Sequence, residues 1–363
     1  MNRNQNTDML YIDEIARALK DRRATIMVGS GFSKNASSDF PSWRELGDRI
    51  FERLHNRKPN EKDRQYLNLL RLAGEMESVH GRTVLDAVIK ESIPETIEPS
   101  EVHKKLLDFP WSDVFTTNYD TQLEQAARQR TEKYDVIISK EDLVYCCSPR
   151  IVKLHGSLPS QRPFVITEED YRQYPKNNAI FVNTVQQSLI ENLFCLIGFS
   201  GDDPNFLNWI GWVRDNLGSD YTGKIYLLSV TDEVSLPQRF LLHRRNIITI
   251  DLRQLFGNAN PSPKDIFNCF FETLEIKLKN LKKHWNINSS PSPLIQGDAV
   301  SECENVVEKW KQIRGSYPGW VVLPYLERNT LWTLTQQWGS LFHANNFSKL
   351  PKSLQYEFTY ESI

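Results

Sequence analysis

The sequence predicts an α/β protein built on a doubly wound parallel sheet of about six strands. Short apolar runs of strand length alternate with helical patterns along the chain. Several of these runs end in glycine or polar residues, as parallel strands do where they reach a ligand-binding edge. With 363 residues, 40% of them hydrophobic, the chain is long enough for one large domain and a smaller part. We therefore expect a Rossmann-like architecture.

Charge and composition narrow the classes of function. The chain carries 44 basic and 46 acidic residues, so its charge does not favour nucleic acid or an anionic membrane as a partner. No signal peptide or apolar membrane span is visible, and we expect a cytoplasmic protein. The five cysteines include the adjacent Cys146 and Cys147 but no C-x-x-C pair. We therefore expect neither a disulfide framework nor a zinc ribbon.

The first predicted strand leads into a glycine-rich turn. Residues 25–28 form an apolar run that stops at Gly29, and Gly31 follows. Glycine would let the backbone adopt positive φ and approach a pyrophosphate closely. The amides of residues 30–33 would then face the phosphates as an anion-binding nest. By itself this pattern is a weak signal, because G-x-G also occurs in ordinary strand-to-helix turns.

Polar and glycine-rich segments follow several of the later predicted strands. Strand-like runs lie at residues 114–115, 136–138, 151–154, 193–197, 225–230 and 247–250. The first of them ends in Asn118 and Asp120, the run at 151–154 ends in His155, and the run at 193–197 ends in Gly198. Because parallel strands end at one edge of a sheet, we expect these groups to lie together.

The composition also suggests domain boundaries. Residues 1–285 are expected to form one domain, with a helical insertion at about 60–108 that covers a sheet edge or a neighbouring subunit. Residues 286–293, NINSSPSP, have the composition of a linker. Residues 294–363 are expected to begin a further module, such as a sensor, or to form an arm on the first domain, because so short a segment rarely makes a core alone.

The order of these motifs resembles that of the sirtuin family. The matching segments, over about residues 20–255, are GSGFS at 29–33, TTNYD at 116–120, KLHG at 153–156 and GFS at 198–200. The chain lacks the two C-x-x-C pairs that protein-deacylating sirtuins usually carry. Together with TTNYD and the Asp203-Pro204-Asn205 element, this is similar to the sirtuin-like effector domains of bacterial antiphage defence proteins, which hydrolyse NAD.

The resemblance implies two catalytic residues and a set of NAD-binding residues. Asn118 would bond a ribose hydroxyl and an attacking water, and His155 would be the general base. Asp120 would orient the Asn118 loop or bond the nicotinamide carboxamide. The cofactor-binding residues would be Gly29, Ser30, Gly31, Phe32, Ser33, Thr117, Asp120, Gly156, Gly198, Phe199, Ser200 and Asp203. NAD would be the substrate, and no metal is expected, because nicotinamide leaves as a neutral base.

Structural roles remain open for some of these residues. Asn118 could cap the helix that begins near Leu123, and His155 could be a buried core histidine. Trp43 is expected in the core rather than as a lid on the glycine turn. Lys34 is expected to be solvated rather than to bind phosphate.

Three functions fit the sequence. We expect an NAD+ hydrolase that depletes NAD in antiphage defence by abortive infection; the alternatives are an NAD-dependent protein deacylase and a non-catalytic NAD-sensing module. The resemblance also implies a homo-oligomer, as a tetramer or filament, and a phage-derived protein trigger acting through regions outside this chain. A constitutive hydrolase would kill its host, so we expect residues 60–108 and the tail, with its apolar run at 320–326, to gate the cleft.

Overall fold

The computed structural model describes residues 3–130, 133–159, 163–199, 203–218, 223–230, 235–257, 261–282, 298–315 and 347–362. It divides into two compact units, Met1–Leu278 and Lys279–Ile363. The expected linker at 286–293, the run at 320–326 and Ser200 lie outside the described residues.

A parallel sheet forms the centre of the first unit. Within the described residues its strands are β1 (Ala24–Val28), β2 (Val114–Thr116), β3 (Asp135–Ile137), β4 (Arg150–Lys153), β5 (Leu193–Ile197), β6 (Ile225–Ser229) and β7 (Ile247–Asp251). Their order is β3-β4-β2-β1-β5-β6-β7, and every neighbouring pair is parallel. The predicted fold class is confirmed, with seven strands where about six were expected.

Both faces of the sheet are buried. Successive side chains of a strand point to opposite faces, and the neighbours Ile26 and Met27 in β1 are both 0% exposed. Met27 belongs to a core cluster with Val185 and Trp209. A strand buried on both sides explains why β1 is apolar throughout instead of alternating between apolar and polar residues.

Helices connect the strands of the first unit. They are α1 (Arg3–Lys20), α2 (Ser30–Ser33), α3 (Trp43–His55), α4 (Glu61–Tyr66), α5 (Leu69–His80), α6 (Arg82–Ser92), α7 (Glu101–Leu106), α8 (Gln122–Arg128), α9 (Glu168–Asn177), α10 (Ala179–Glu191), α11 (Pro204–Leu217), α12 (Leu236–Arg244), α13 (Leu252–Phe256) and α14 (Pro263–Lys282). The segment at 60–108 is helical, as the sequence predicted. Its helices α5 and α6 form a core cluster with α3, through Ile50, Met76 and Leu85.

The second unit contains α15 (Ala299–Gly315) and α16 (Lys352–Ser362). These helices share a small apolar cluster that includes Cys303, Val307 and Leu354. The rings of Trp310 and Phe358 lie 4.9 Å apart between their centroids. Across both units, no described helix combines the length and apolarity that a membrane crossing needs.

Candidate active site

The candidate site lies where the strand order reverses. The chain places β2, β4 and β3 on one side of β1, and then places β5, β6 and β7 on the other side. The carboxyl ends of β1 and β5 therefore flank a topological switch point, where open α/β sheets bind ligands. Gly29 follows β1 and Gly198 follows β5, so the two predicted glycine turns meet there.

The two glycine turns are in direct backbone contact. The amide of Gly31 donates to the carbonyl of Gly198 at 3.0 Å. A Cβ on Gly29 would lie 2.4 Å from the Gly198 carbonyl oxygen, and a Cβ on Gly198 would lie 2.2 Å from the Phe32 nitrogen. Glycine is required at these positions because two backbones touch, without room for a side chain.

Two details predicted for the first turn are wrong. Gly29 has φ −103°, and Gly31 is absent from the glycines with positive φ, whereas Gly198 has φ 60°. The amides of Gly31 and Phe32 donate to the carbonyls of Gly198 and Gly29, both at 3.0 Å. The four amides of residues 30–33 therefore do not form a free anion-binding nest, because two of them already donate hydrogen bonds to backbone carbonyls of the two glycine turns.

A cleft of about 440 Å³ opens beside these turns. Its lining residues include Gly29, Ser30, Gly31, Trp43, Arg44, Thr117, Tyr171, Gly198, Phe199 and Asp203. Trp43 lines the cleft and also packs against the helical core cluster, so the expectation of a core position was only half right. The sequence reasoning missed Arg44, a cation at the beginning of α3 whose proximity to the glycine turn could have singled it out.

Asn118 and Asp120 are joined through Ser33. The Asn118 amide donates from Nδ2 to the Ser33 hydroxyl at 3.0 Å, and that hydroxyl donates to Oδ2 of Asp120 at 2.8 Å. All three side chains are buried. The glycine turn and the segment after β2 are therefore fixed to each other by side chains, and Ser33 contributes its hydroxyl to this contact.

Asn118 is not a helix cap. The first turn of α8 uses Asp120 instead, whose Oδ1 accepts from the amide of Gln122 at 3.1 Å. The Asn118 backbone amide donates to Oγ1 of Thr116 at 3.0 Å. Its side-chain oxygen Oδ1 is buried and has no hydrogen-bond partner within the described residues. An orphaned acceptor of this kind is costly in a folded protein unless a water or ligand satisfies it, so Oδ1 is free to bind one.

Asn118 and His155 follow two paired strands at equivalent positions. Thr116 in β2 pairs with Lys153 in β4, and Asn118 and His155 each lie two residues further along. Both residues lie beyond the ends of their strands, at the carboxyl edge of the sheet. The amide of Leu154 extends this pairing by donating to the Thr116 carbonyl at 2.9 Å.

Aromatic rings enclose the His155 side chain, which is 0% exposed. The rings of Tyr171 and Tyr174 meet its imidazole edge to face, at centroid distances of 5.4 Å and 5.6 Å. Nε2 lies 3.3 Å from Nδ2 of Asn205, and Nδ1 has no partner within the described residues. Burial lowers the pKa of His155, so the ring is neutral near pH 7.

A buried lysine fixes the loop after β2. Nζ of Lys153 lies 2.8 Å from a carboxylate oxygen of Glu124 and donates to the Asp120 carbonyl. The lysine side chain is 0% exposed, and a buried charge of this kind persists only when it is paired and hydrogen-bonded. Lys153, the last residue of β4 and two residues before His155, therefore ties this strand to the loop that carries Asn118.

Gly156 does not lie at the cleft. It lines a larger cavity of about 700 Å³ together with Lys140, Leu154 and Thr167. That cavity lies beyond the ends of β3 and β4, away from the switch point. We assign the ligand site to the smaller cleft, because it brings together both glycine turns, Thr117 and Asp203. Within the described ranges no group of three or more His, Cys, Asp or Glu side chains is placed to hold a metal ion.

Acid is expected to destabilise the fold through two buried histidines. Burial lowers the pKa of His103 from 6.5 to about 4 and also lowers that of His155. The unfolded chain takes up these protons near pH 6.5 and the folded chain does not, so stability is full above that pH and falls towards pH 4. For His103 the loss at pH 5 is about 2 kcal/mol.

Urea unfolding at pH 7.5 and pH 5 measures this loss. His103→Leu should reduce the difference between the two pH values, whereas the exposed His80→Gln should not. If the free energy of unfolding changes by the same amount between pH 7.5 and pH 5 in the wild type and in His103→Leu, the acid sensitivity does not come from His103.

The fold is a parallel α/β sheet in which two glycine turns meet at the switch point, with Asn118 and His155 following neighbouring strands. Residues 112–250 match the family model of the SIR2-like domain. This match agrees with the resemblance that the motifs predicted and covers 139 of the 363 residues.

Several characterised proteins are similar to this chain. It is 27% identical over 241 residues to "Defense-associated sirtuin 2" of Bacillus subtilis, an alignment that covers 65% of this chain and 23% of that protein. It is 30% identical over 207 residues to "NAD(+) hydrolase ThsA" of Acinetobacter baumannii, covering 55% and 41%. With the protein of the same name from Bacillus cereus the identity is 25% over 284 residues, covering 75% and 57%. The chain thus spans less than two thirds of the length of each relative.

Proposed function

We propose that this chain is an NAD+ hydrolase that releases nicotinamide and ADP-ribose. The observation that carries the proposal is the placement of Asn118 and His155. Both are buried just beyond the ends of two paired strands, and both keep a side-chain atom without a partner among the described residues. Relatives named as NAD(+) hydrolases support the same substrate.

The proposed reaction needs polar groups held in position around the nicotinamide–ribose bond more than it needs charged groups. As the bond from nicotinamide to ribose breaks, the sugar acquires oxocarbenium character and the leaving group becomes neutral. Oδ1 of Asn118 would orient the attacking water, and Nδ2 stays anchored on Ser33. His155, neutral because of its burial, would accept the proton that the water or a ribose hydroxyl loses.

The cleft would hold the dinucleotide. The touching glycine turns leave the backbone accessible to a pyrophosphate at the switch point. We assign Arg44 to the phosphates, because a guanidinium can bind phosphate oxygens in a bidentate manner. The predicted roles of Thr117, Phe199 and Asp203 in NAD binding fit their positions in the cleft lining.

A biological role in antiphage defence is part of this proposal. The relative named as a defence-associated sirtuin supports it. We further propose a homo-oligomer, a tetramer or filament, that a phage-derived protein triggers through regions outside this chain. Phe240 and Leu241 on α12 are 69% and 48% exposed, and such neighbouring apolar side chains favour a subunit contact. A monomer by light scattering, before and after NAD is added, would contradict the oligomer.

Incubation of the purified chain with NAD+ tests the activity, with products separated by chromatography. We expect nicotinamide and ADP-ribose in equal amounts, with or without EDTA, and no effect of an acetyl-lysine peptide. Peptide-dependent release of acetyl-ADP-ribose would support a deacylase instead. NAD binding without any product would support the sensing module.

A further inference from the structure

Asn205, the last residue of the Asp203-Pro204-Asn205 element, lies against the candidate base His155. It is the second residue of α11 and is 1% exposed. The helix start that carries it is fixed by Asp203, whose Oδ1 accepts from the Phe206 amide at 3.0 Å. Oδ2 of Asp203 accepts from the Tyr171 hydroxyl at 2.8 Å. The Asn205 amide is therefore held at a defined place beside His155.

The contact between these side chains determines the state of the imidazole. Nδ2 of Asn205 lies 3.3 Å from Nε2 of His155. With the amide oriented as in the structure, Nδ2 donates to Nε2, and this orientation corresponds to a ring proton on Nδ1. Nδ1 has no partner within the described part of the chain. It is therefore the nitrogen left for a substrate hydroxyl or water.

In this resting arrangement neither nitrogen is ready to act as a base. The lone pair of Nε2 is engaged by Asn205, and Nδ1 carries the proton. A half-turn of the Asn205 amide would present Oδ1, which accepts from an Nε2–H. That turn favours the other neutral tautomer and leaves a lone pair on Nδ1. When Nδ1 then takes a proton, the same Oδ1 continues to accept from Nε2–H in the imidazolium.

We propose that Asn205 is a positioning residue that selects the tautomer of His155 and supports its protonated form. The inference rests on the proposed hydrolase function for its kinetic consequences, but the tautomer itself does not depend on turnover. Asn205 touches His155 and is assigned no contact with the substrate.

The other groups that face His155 do not replace this contact. From α9 the rings of Tyr171 and Tyr174 present their edges or faces to it. Asp203 and Asp170 act on it through their charge. Oδ2 of Asp203 bonds Tyr171, and the carboxylate of Asp170 bonds Arg82. Within the part of the chain that the structure describes, the imidazole shares a side-chain hydrogen bond with Asn205.

Two substitutions separate the proposed role from simple packing. Asn205→Asp supplies only acceptor atoms, so it should place the ring proton on Nε2 and raise the pKa of His155. Asn205→Leu has a similar size and supplies no polar atom. Asn216→Leu is the control, because Asn216 is an exposed residue of the same helix that bonds only the Trp212 carbonyl in the structure.

Nitrogen NMR of protein labelled at histidine reads the tautomer directly, with His155→Gln used to assign the signal. We expect Nδ1–H in the wild type, Nε2–H in Asn205→Asp, and a titration of His155 at higher pH in that variant. An unchanged tautomer and titration in both Asn205 variants would overturn the proposal, whether or not the protein is active.

Kinetics of NAD+ cleavage provides the second readout. Asn205→Leu should lower kcat roughly 10- to 100-fold with little change in KM, a range typical of impaired general base catalysis. Asn205→Asp should shift the acidic limb of the pH profile upward. If both variants keep the wild-type kcat and pH profile, the inference about Asn205 is overturned. If the wild type itself is inactive, the proposed function is overturned, and the NMR result alone decides the inference.

Discussion

Asn118→Ala is expected to lower the rate of NAD+ cleavage by about a thousandfold or more in a protein that still folds. The substitution removes both the unpaired Oδ1 that would orient water and the Nδ2 that binds Ser33. Loss of a preorganised polar group at the reacting centre typically costs a factor of this size. Ser33 keeps its bond to Asp120, so the fold should lose only about 1 kcal/mol.

His155→Ala is expected to have an effect of similar size, because it removes the proposed base. Its side chain is completely buried, so the cavity adds a stability cost of roughly 2–4 kcal/mol, and His155→Gln is a milder second variant. Asn216→Ala, at an exposed position of α11, is the matched control and should keep full activity. Circular dichroism and thermal unfolding establish that each variant is folded. Wild-type turnover in either folded Asn118→Ala or folded His155→Gln would contradict the site.

Gly198→Ala is expected to destabilise the protein by roughly 2–5 kcal/mol. Gly198 has φ 60°, and an alanine in this left-handed region costs about 1–2 kcal/mol. The added Cβ would also lie 2.2 Å from the Phe32 nitrogen. Because that neighbour is backbone, relief requires the two turns to separate, at a further cost of about 1–3 kcal/mol.

Gly211→Ala is the control for this substitution. Gly211 lies inside α11, and an added Cβ there meets nothing within 4 Å. Alanine is favoured over glycine in a helix, so stability should rise by about 0.5–1 kcal/mol. Denaturant unfolding measures both variants. A Gly198→Ala protein as stable as the wild type would show that the turns do not need their close contact.

The fold could be read from the sequence because its strands are buried on both faces. Continuous apolar runs such as β1 and β5 then stand out from the amphipathic helices. The ends of these strands were equally visible, since Gly29, Asn118, His155 and Gly198 interrupt the apolar runs. Local pattern therefore sufficed for the fold class and for locating the residues that follow these strands.

The partners of those residues could not be predicted in the same way. Asn205 and Tyr171 lie in helical patterns, and only tertiary packing brings them to His155. The KLHG match implied that Gly156 binds NAD, whereas in the structure Gly156 has φ 95° and lines the larger cavity. The glycine turn was misjudged for a related reason, since the sequence does not reveal that its closest neighbour is Gly198.

Burial of His155 has a consequence for turnover. The imidazole has no exposed surface, and Tyr171 both packs against it and lines the cleft. A substrate in the cleft can reach His155 only if this packing changes. If the cleft is gated as expected from the sequence, the isolated chain should have low activity. Its activity should then increase when the fold or the assembly is perturbed near Tyr171.

The central claim is that water, placed by Asn118 and His155, cleaves the bond between nicotinamide and ribose. It is tested most directly by incubating the protein with NAD+ in water enriched in the heavy oxygen isotope and analysing the products by mass spectrometry. We predict free nicotinamide and an equal amount of ADP-ribose that carries one labelled oxygen from the attacking water, formed by the wild type and absent with Asn118→Ala. Nicotinamide released together with an unlabelled or cyclic product, or no release at all by the wild type under any assembly state, would contradict it.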